Sequence, residues 1–374
     1  MSAEKFVKKH KINYPRVIST VLFALIFGTL ALLTVLSVPS GGLAELFNRR
    51  AEDGYPYNLN GQPVIGLLAA PPGVQILSAD GVILLDKKAR EIYSRKLDYA
   101  DPTAGSAFGH SLIADRADGR YFLHGKSGIV FEGKLQSPVT LAAVGKNNAA
   151  LASQTAEGEA RLDVLNKRGH SVFNWSNAGE RIVSIALSQN GRYAAAALLR
   201  MEEGECYSRV LIFNISRKRI IAELDFEQST LLRIRFTDRN NLYVLGEDLL
   251  ACLKKDGSRV TPDTEFIAGQ LERFTFSQNG RVALVLHGEE NEMTLKAYDT
   301  RGNLSFEKIT GAVSAMAMDG KYMAVLKTDS LEIYDINGDL IAKPDIGTDP
   351  VRAIILNKKT LYTLTNNSVE QFTF

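Results

Sequence analysis

From about residue 63 to its C-terminus the chain repeats two turn motifs, and this periodicity constrains its fold more than any other feature. The first motif joins two apolar strands. It reads ALSQNGRYAAAAL at 186–198, TFSQNGRVALVL at 275–286 and AMDGKYMAVL at 317–326, and the pentapeptide Ser188–Arg192 returns unchanged at Ser277–Arg281. Weaker copies are AVGKNNAALA at 143–152, FTDRNNLYVL at 236–245 and ILNKKTLYTL at 355–364. The second motif follows one strand later: ILLDKKAREIYS at 83–94, DVLNKRGHSVFNW at 163–175, ACLKKDGSRV at 251–260, KAYDTRGNLSFEK at 296–308 and EIYDINGDLIAK at 332–343, with looser copies at 122–134 and 211–224. Asn-Gly and Asp-Gly permit the positive φ angles of tight hairpin turns. The flanking segments are rich in Val, Ile, Leu, Tyr and Phe, as strands are.

Together the motifs define a four-strand unit, a to d, recurring about every 40 residues, the range of propeller blades. Third strands fall near residues 82, 121, 162, 210, 249, 295, 332 and 369. The expected fold is therefore all-β: a β-propeller of eight four-stranded blades, with seven as the alternative count. Two β-sandwiches, the rival architecture, would give irregular spacing. The last unit, from Val351 to Phe374, supplies strands a, b and c but no d. Tyr55–Leu59 is the candidate for the missing strand, because closing the ring removes exposed sheet edges.

Residues 17–38, VISTVLFALIFGTLALLTVLSV, contain no charged residue. At 1.5 Å per residue a helix of this run spans about 30 Å, a bilayer's hydrocarbon thickness. A cleaved signal peptide has a shorter apolar region and a small-residue cleavage site, which SVPSGGLA matches poorly. Lys5, Lys8, Lys9, Lys11 and Arg16 precede the run, whereas Arg49 and Arg50 follow it beside Glu45, Glu52 and Asp53. The positive-inside rule then places the N-terminus in the cytoplasm. The expected organisation is a cytoplasmic basic tail at 1–16, a transmembrane signal anchor at 17–38, a linker at 39–54 and an extracytoplasmic propeller at 55–374 of the cell membrane.

A basic tail, one span and repeats of the SQNGR and DxxGxh type resemble a family of single-span propeller proteins of unknown function from Gram-positive bacteria. That family carries WD-repeat-like or quinoprotein-like blades. The usual WD signature is absent, since the only tryptophan, Trp175, precedes Ser176. The resemblance implies a location and a fold, and its motifs are structural turns that transfer no catalytic residue.

The repeat also sorts loops onto two faces. The b–c loops carry Asp115, Asp118, Glu157, Glu159, Glu202, Glu203, Glu205, Glu247, Asp248, Glu289, Glu290 and Glu292. The a–b and c–d turns carry Lys87, Lys88, Arg90, Lys167, Arg168, Arg192, Arg217, Lys218, Arg219, Lys254, Lys255, Arg281, Lys358 and Lys359. Solvated turns are one explanation, since charge is ordinary surface filling. The other is a polarised disc. Its basic turns (Lys87, Lys88, Lys167, Arg168, Arg217, Lys218, Lys254, Lys255) would face the membrane. Its acidic loops (Glu157, Glu159, Glu202, Glu203, Glu205, Glu289, Glu290, Glu292) would face a partner or cations. The net charge of +2 argues against a nucleic-acid binder.

No catalytic constellation emerges. The histidines, His10, His110, His124, His170 and His287, lie neither at helical i, i+4 spacing nor beside a cysteine, so no metal site is expected. Asp335–Asp339 opens like a calcium loop but lacks the glutamate at its twelfth position, and its place matches the c–d turn of the other units. Cys206 and Cys252 are in no metal spacing, and whether they pair stays open. No cofactor is expected. The expected role is a non-enzymatic module that binds an envelope protein or polymer. The alternatives are a quinoprotein-like or hydrolytic enzyme using the central channel, and a ligand sensor signalling through the anchor.

Overall fold

The computed structural model describes residues 54–374, apart from 127, 227–228, 257–258 and 289–291. The expected tail and span at 1–38, and almost all of the linker, lie outside the described residues. No helix occurs among the described residues, and none there is long and apolar enough to cross a membrane.

The described chain forms eight four-stranded antiparallel sheets, each contiguous in sequence except the last. The third strands, from Gly81–Leu85 in blade 1 to Ser368–Thr373 in blade 8, coincide with the positions read from the repeat. The count is eight, not seven. The final sheet takes its outer strand from the start of the propeller: Tyr57 pairs with Val369 and Asn58 with Ser368. The next residue, Leu59, is buried, and its amide donates to the Asn367 carbonyl at 2.8 Å. Tyr55 stacks against Tyr362 at 5.5 Å, and its hydroxyl donates to the Asp86 carbonyl of blade 1 at 3.0 Å. The clasp thus ties blade 8 to blade 1.

The core is distributed around the ring. Eight clusters of buried apolar side chains each bridge two neighbouring blades. Leu162 and Phe173 of blade 3, for example, join Leu198 and Phe213 of blade 4. No blade encloses a core alone, which is why the unit must repeat. The alternation that makes this possible is visible at the inner strands, where successive side chains enter the interfaces on opposite sides of the blade: Ile185 and Leu187 pack with blade 3 and Ala186 with blade 5.

The motif residues build the turns. Asn190 Oδ1 accepts the Arg192 amide, and Ser188 Oγ accepts the Tyr193 amide at 2.9 Å. Gly191 supplies the positive φ of +70° and Gly280 its counterpart of +86°, whereas the preceding asparagines need none. In the c–d turns a single carboxylate or amide oxygen collects two backbone amides. Asp86 serves Lys88 and Arg90, Asn166 serves Arg168 and His170, Asp299 serves Arg301 and Asn303, and Asp335 serves Asn337 and Asp339. Asp335 is therefore a turn residue, as the repeat implied.

A β-bulge recurs near the start of the inner strand in six blades, between Val64 and Gly66, Val139 and Leu141, Ile182 and Ser184, Leu231 and Arg233, Leu271 and Arg273, and Val313 and Ala315. Bulges re-aim side chains. Here the residues after the bulge turn toward the next blade, as Leu141 and Ala143 of blade 3 do toward blade 4.

Candidate functional site

The ring separates its loop charges by face. On the side of the a–b and c–d turns, Lys87, Lys88, Lys167, Arg168, Arg217 and Lys218 are exposed, and none forms a side-chain ion pair among the described residues. Lys126, Lys146, Arg239, Lys321, Lys358 and Lys359 belong to the same side by their places between strands. Strand d of blade 8 runs antiparallel to Ser368–Thr373, so Tyr55 lies at this basic end and the chain enters the ring there.

Lys254 and Lys255 depart from the expectation. They sit inside the third strand of blade 5, Leu249–Asp256, because that hairpin continues to an Asp256–Arg259 pair before turning. Lys254 is also neutralised by Asp263 at 2.7 Å, which raises its pKa.

The opposite side carries the acidic loops. Glu157, Glu203 and Glu292 are exposed and in no ion pair among the described residues, Glu157 being hydrogen-bonded by Thr155, while Glu289 and Glu290 lie outside them. Two candidates are partly neutralised: Glu159 pairs with Arg161 at 2.7 Å and Glu202 with Arg200 at 3.2 Å. Asp115 is not a loop charge. It ends the second strand of blade 2 fully buried, accepting the amides of Ala100, Asp101 and Ala117.

Glu202 and Glu205 face each other at the tip of the hairpin of blade 4, whose paired strands, Tyr193–Glu202 and Glu205–Asn214, are the longest described. Glu203 and Gly204 both take positive φ, +52° and +91°, as a two-residue hairpin turn requires. This hairpin carries three glutamates with exposed Met201 beside them. It is the most prominent feature of the acidic side. Cys206 sits on it as a free thiol, and the buried Cys252 is also free, so the two do not pair.

Sequence reading missed the axis. A cavity of about 360 Å³ opens at the a–b end of the channel, lined by inner strands that include Leu67, Phe274, Phe276, Met316 and Met318. Arg233 and Arg235 of blade 5 also line it. Their only sequence signal is an Arg-x-Arg alternation where blades 1, 3, 4 and 7 carry small or apolar residues.

The family model that matches the sequence spans residues 73–374, most of the chain. The chain belongs to the family of unknown function DUF5711. The DUF5711 match begins at Gly73, the first residue of the second strand of blade 1, and leaves the clasp outside it. No curated protein matches the chain in sequence. Among solved structures, the crystal structure of BamB from Moraxella catarrhalis is similar with a TM-score of 0.56 at 13% identity, covering 86% of this chain and 99% of BamB. Sqt1 of Saccharomyces cerevisiae is similar with a TM-score of 0.59 at 9% identity, covering 86% of this chain and 99% of Sqt1. At such identities the likeness is one of fold.

Proposed function

We propose that this DUF5711 protein is a membrane-anchored binding module without catalytic activity of its own. A span at residues 17–38 tethers the propeller, which stands outside the membrane and engages an envelope protein or polymer. The observation that carries this reading is the charge division between faces, together with the chain's arrival on the basic one. A tether reaching Tyr55 at that face keeps the basic turns near an anionic surface, where each cation contributes about 1 kcal/mol. The acidic side, with the blade 4 hairpin, is then the side free to meet a partner. Complementary charge there would steer association and select against wrong partners.

Site-specific photo-crosslinking in the full-length protein tests both halves of the reading. A photoreactive residue replacing Glu203 is expected to give protein or polymer adducts, and one replacing Lys167 to give lipid adducts. The reverse pattern, or the same adducts from both positions, rejects it.

A further inference from the structure

At the two positions after the inner-strand bulge, whose side chains turn toward the next blade, four of the six bulged blades carry small or apolar residues: Gly66 and Leu68 in blade 1, Leu141 and Ala143 in blade 3, Ser184 and Ala186 in blade 4, and Ala315 and Ala317 in blade 7. Blade 6 has Thr275 and Arg273, the latter donating to the Glu272 and Ser314 carbonyls. Blade 5 has Arg233 and Arg235 instead, with Ile234 between them turned into the blade 4–5 core. Residues two apart on a strand share a face and lie about 7 Å apart, so both guanidinium groups project to one side.

That side is the seam with blade 6, which opens into the axial cavity that both arginines line. Arg235 is half-buried and Arg233 is exposed to water in the channel. Neither donates a side-chain hydrogen bond or joins an ion pair among the described residues. The one carboxylate lining the cavity, Asp319, accepts the Lys358 amide at 2.7 Å. The inner strands of blades 5 and 6 also stand apart, whereas every other neighbouring pair of inner strands is in close contact. The arginines therefore occupy a widened seam, with Phe274, Thr275 and Phe276 of blade 6 on its other wall. Burial, reinforced by the like charge of Arg233, draws the Arg235 guanidinium down to about 10.

The like charges of Arg233 and Arg235 repel each other in this cavity, and an anion held between them would relieve that repulsion. We propose that Arg233 and Arg235 form a binding site for a small dianionic oxyanion of the phosphate-monoester kind, with its apolar substituent against Phe274, Phe276 and Met316. Planar guanidinium groups match phosphate oxygens two at a time. The cavity suits a small molecule, and it opens on the basic side, which would draw anions toward its mouth. The inference stands on the channel alone, so failure of the tethering or partner reading leaves it intact.

The test uses the full-length protein in a nonionic detergent, with phenyl phosphate as the probe and benzoate as a monoanionic comparison at matched ionic strength. Phenyl phosphate is expected to bind in isothermal titration, more tightly than benzoate, and to raise the thermal midpoint. Arg235→Gln and Arg233→Gln should each weaken binding at least about tenfold, the scale of a lost charge-assisted hydrogen bond. Without ligand, Arg235→Gln should melt no lower than the unaltered protein, which shows that lost binding is not lost folding. If Arg235→Gln fails to fold, Arg233→Gln, whose side chain is open to channel water, carries the test. Absence of binding, equal affinity for benzoate, or undiminished binding by the variants overturns the proposal.

Discussion

Two glycines at equivalent motif positions illustrate how residue-level demands differ within one repeat. Gly191 and Gly280 both adopt left-handed φ, but a Cβ on Gly191 would meet nothing closer than Asn147 at 3.5 Å, while one on Gly280 would lie 2.4 Å from the Thr237 Cα. Gly191→Ala is expected to cost about 1–2 kcal/mol, the penalty of the conformation alone. Gly280→Ala should cost clearly more, because backbone of blade 5 must move. Urea unfolding midpoints of the two variants measure the difference, and equal losses would remove the packing argument. His124 offers a second residue-scale test. It is buried against Tyr93 at 4.0 Å, and burial, aided by the neighbouring His110, lowers its pKa from 6.5 to about 4. The unfolded chain therefore binds a proton that the folded one refuses, and stability falls as pH drops from about 6.5 toward about 4. His124→Gln should flatten that decline, as read from thermal midpoints at about pH 7 and about pH 5. An unchanged difference between the two midpoints would contradict the assignment.

Among the elements, the two-residue strand Tyr57–Asn58 has a role out of proportion to its length. It covers the outer edge of blade 8, and its neighbour Leu59 enters the cluster between blades 8 and 1. Leu59→Ala is expected to destabilise by about 2–5 kcal/mol, the range for truncating a buried leucine. Ile65→Ala, on a side chain 53% exposed, should be close to neutral. Chemical denaturation of both variants checks this, and a neutral Leu59→Ala would show that the ring closes without its clasp. The missing fourth strand of the last unit was legible because every other unit supplied its own. So were the third strands, since in blades 1, 3, 4, 6 and 7 the Asp or Asn at the strand's end is also the acceptor that builds its c–d turn. The blade 5 hairpin was misread because Lys254 occupies the place of that Asp or Asn and cannot accept backbone amides, so the strand runs on to Asp256. Ion pairs such as Glu159 with Arg161 and Glu202 with Arg200 join residues two apart on one face of a strand and depend on rotamers, which a one-dimensional charge list does not contain. The arginines of the channel escaped because periodicity predicts strands and turns, not the direction in which a bulge aims a side chain.

For the whole molecule, closure turns a modest net charge into a directional one. Residues 54–374 carry 37 Lys and Arg against 38 Asp and Glu, a net charge of −1, so the ring as a body is not attracted to an anionic surface, but its two faces oppose each other and orientation decides the energy. Each cation held near an anionic membrane contributes about 1 kcal/mol. Reversing Lys167 and Arg168 removes two such contributions and adds two repulsions, an upper limit of about 4 kcal/mol, or roughly a thousandfold in affinity. Screening shortens the reach of these charges from about 10 Å at 0.1 M salt to about 3 Å at 1 M, so binding should collapse as salt rises. The full-length protein hides this behind its expected span, and the measurement therefore belongs to residues 54–374, whose clasp, eight sheets and eight interface clusters lie within that segment. In co-sedimentation with anionic vesicles at low salt, Lys167→Glu with Arg168→Glu should release the ring. Glu157→Gln with Glu203→Gln, on the other side, should leave binding unchanged or slightly stronger. Equal effects from the two faces would mean that net charge alone governs attachment, and the oriented disc would have to be abandoned.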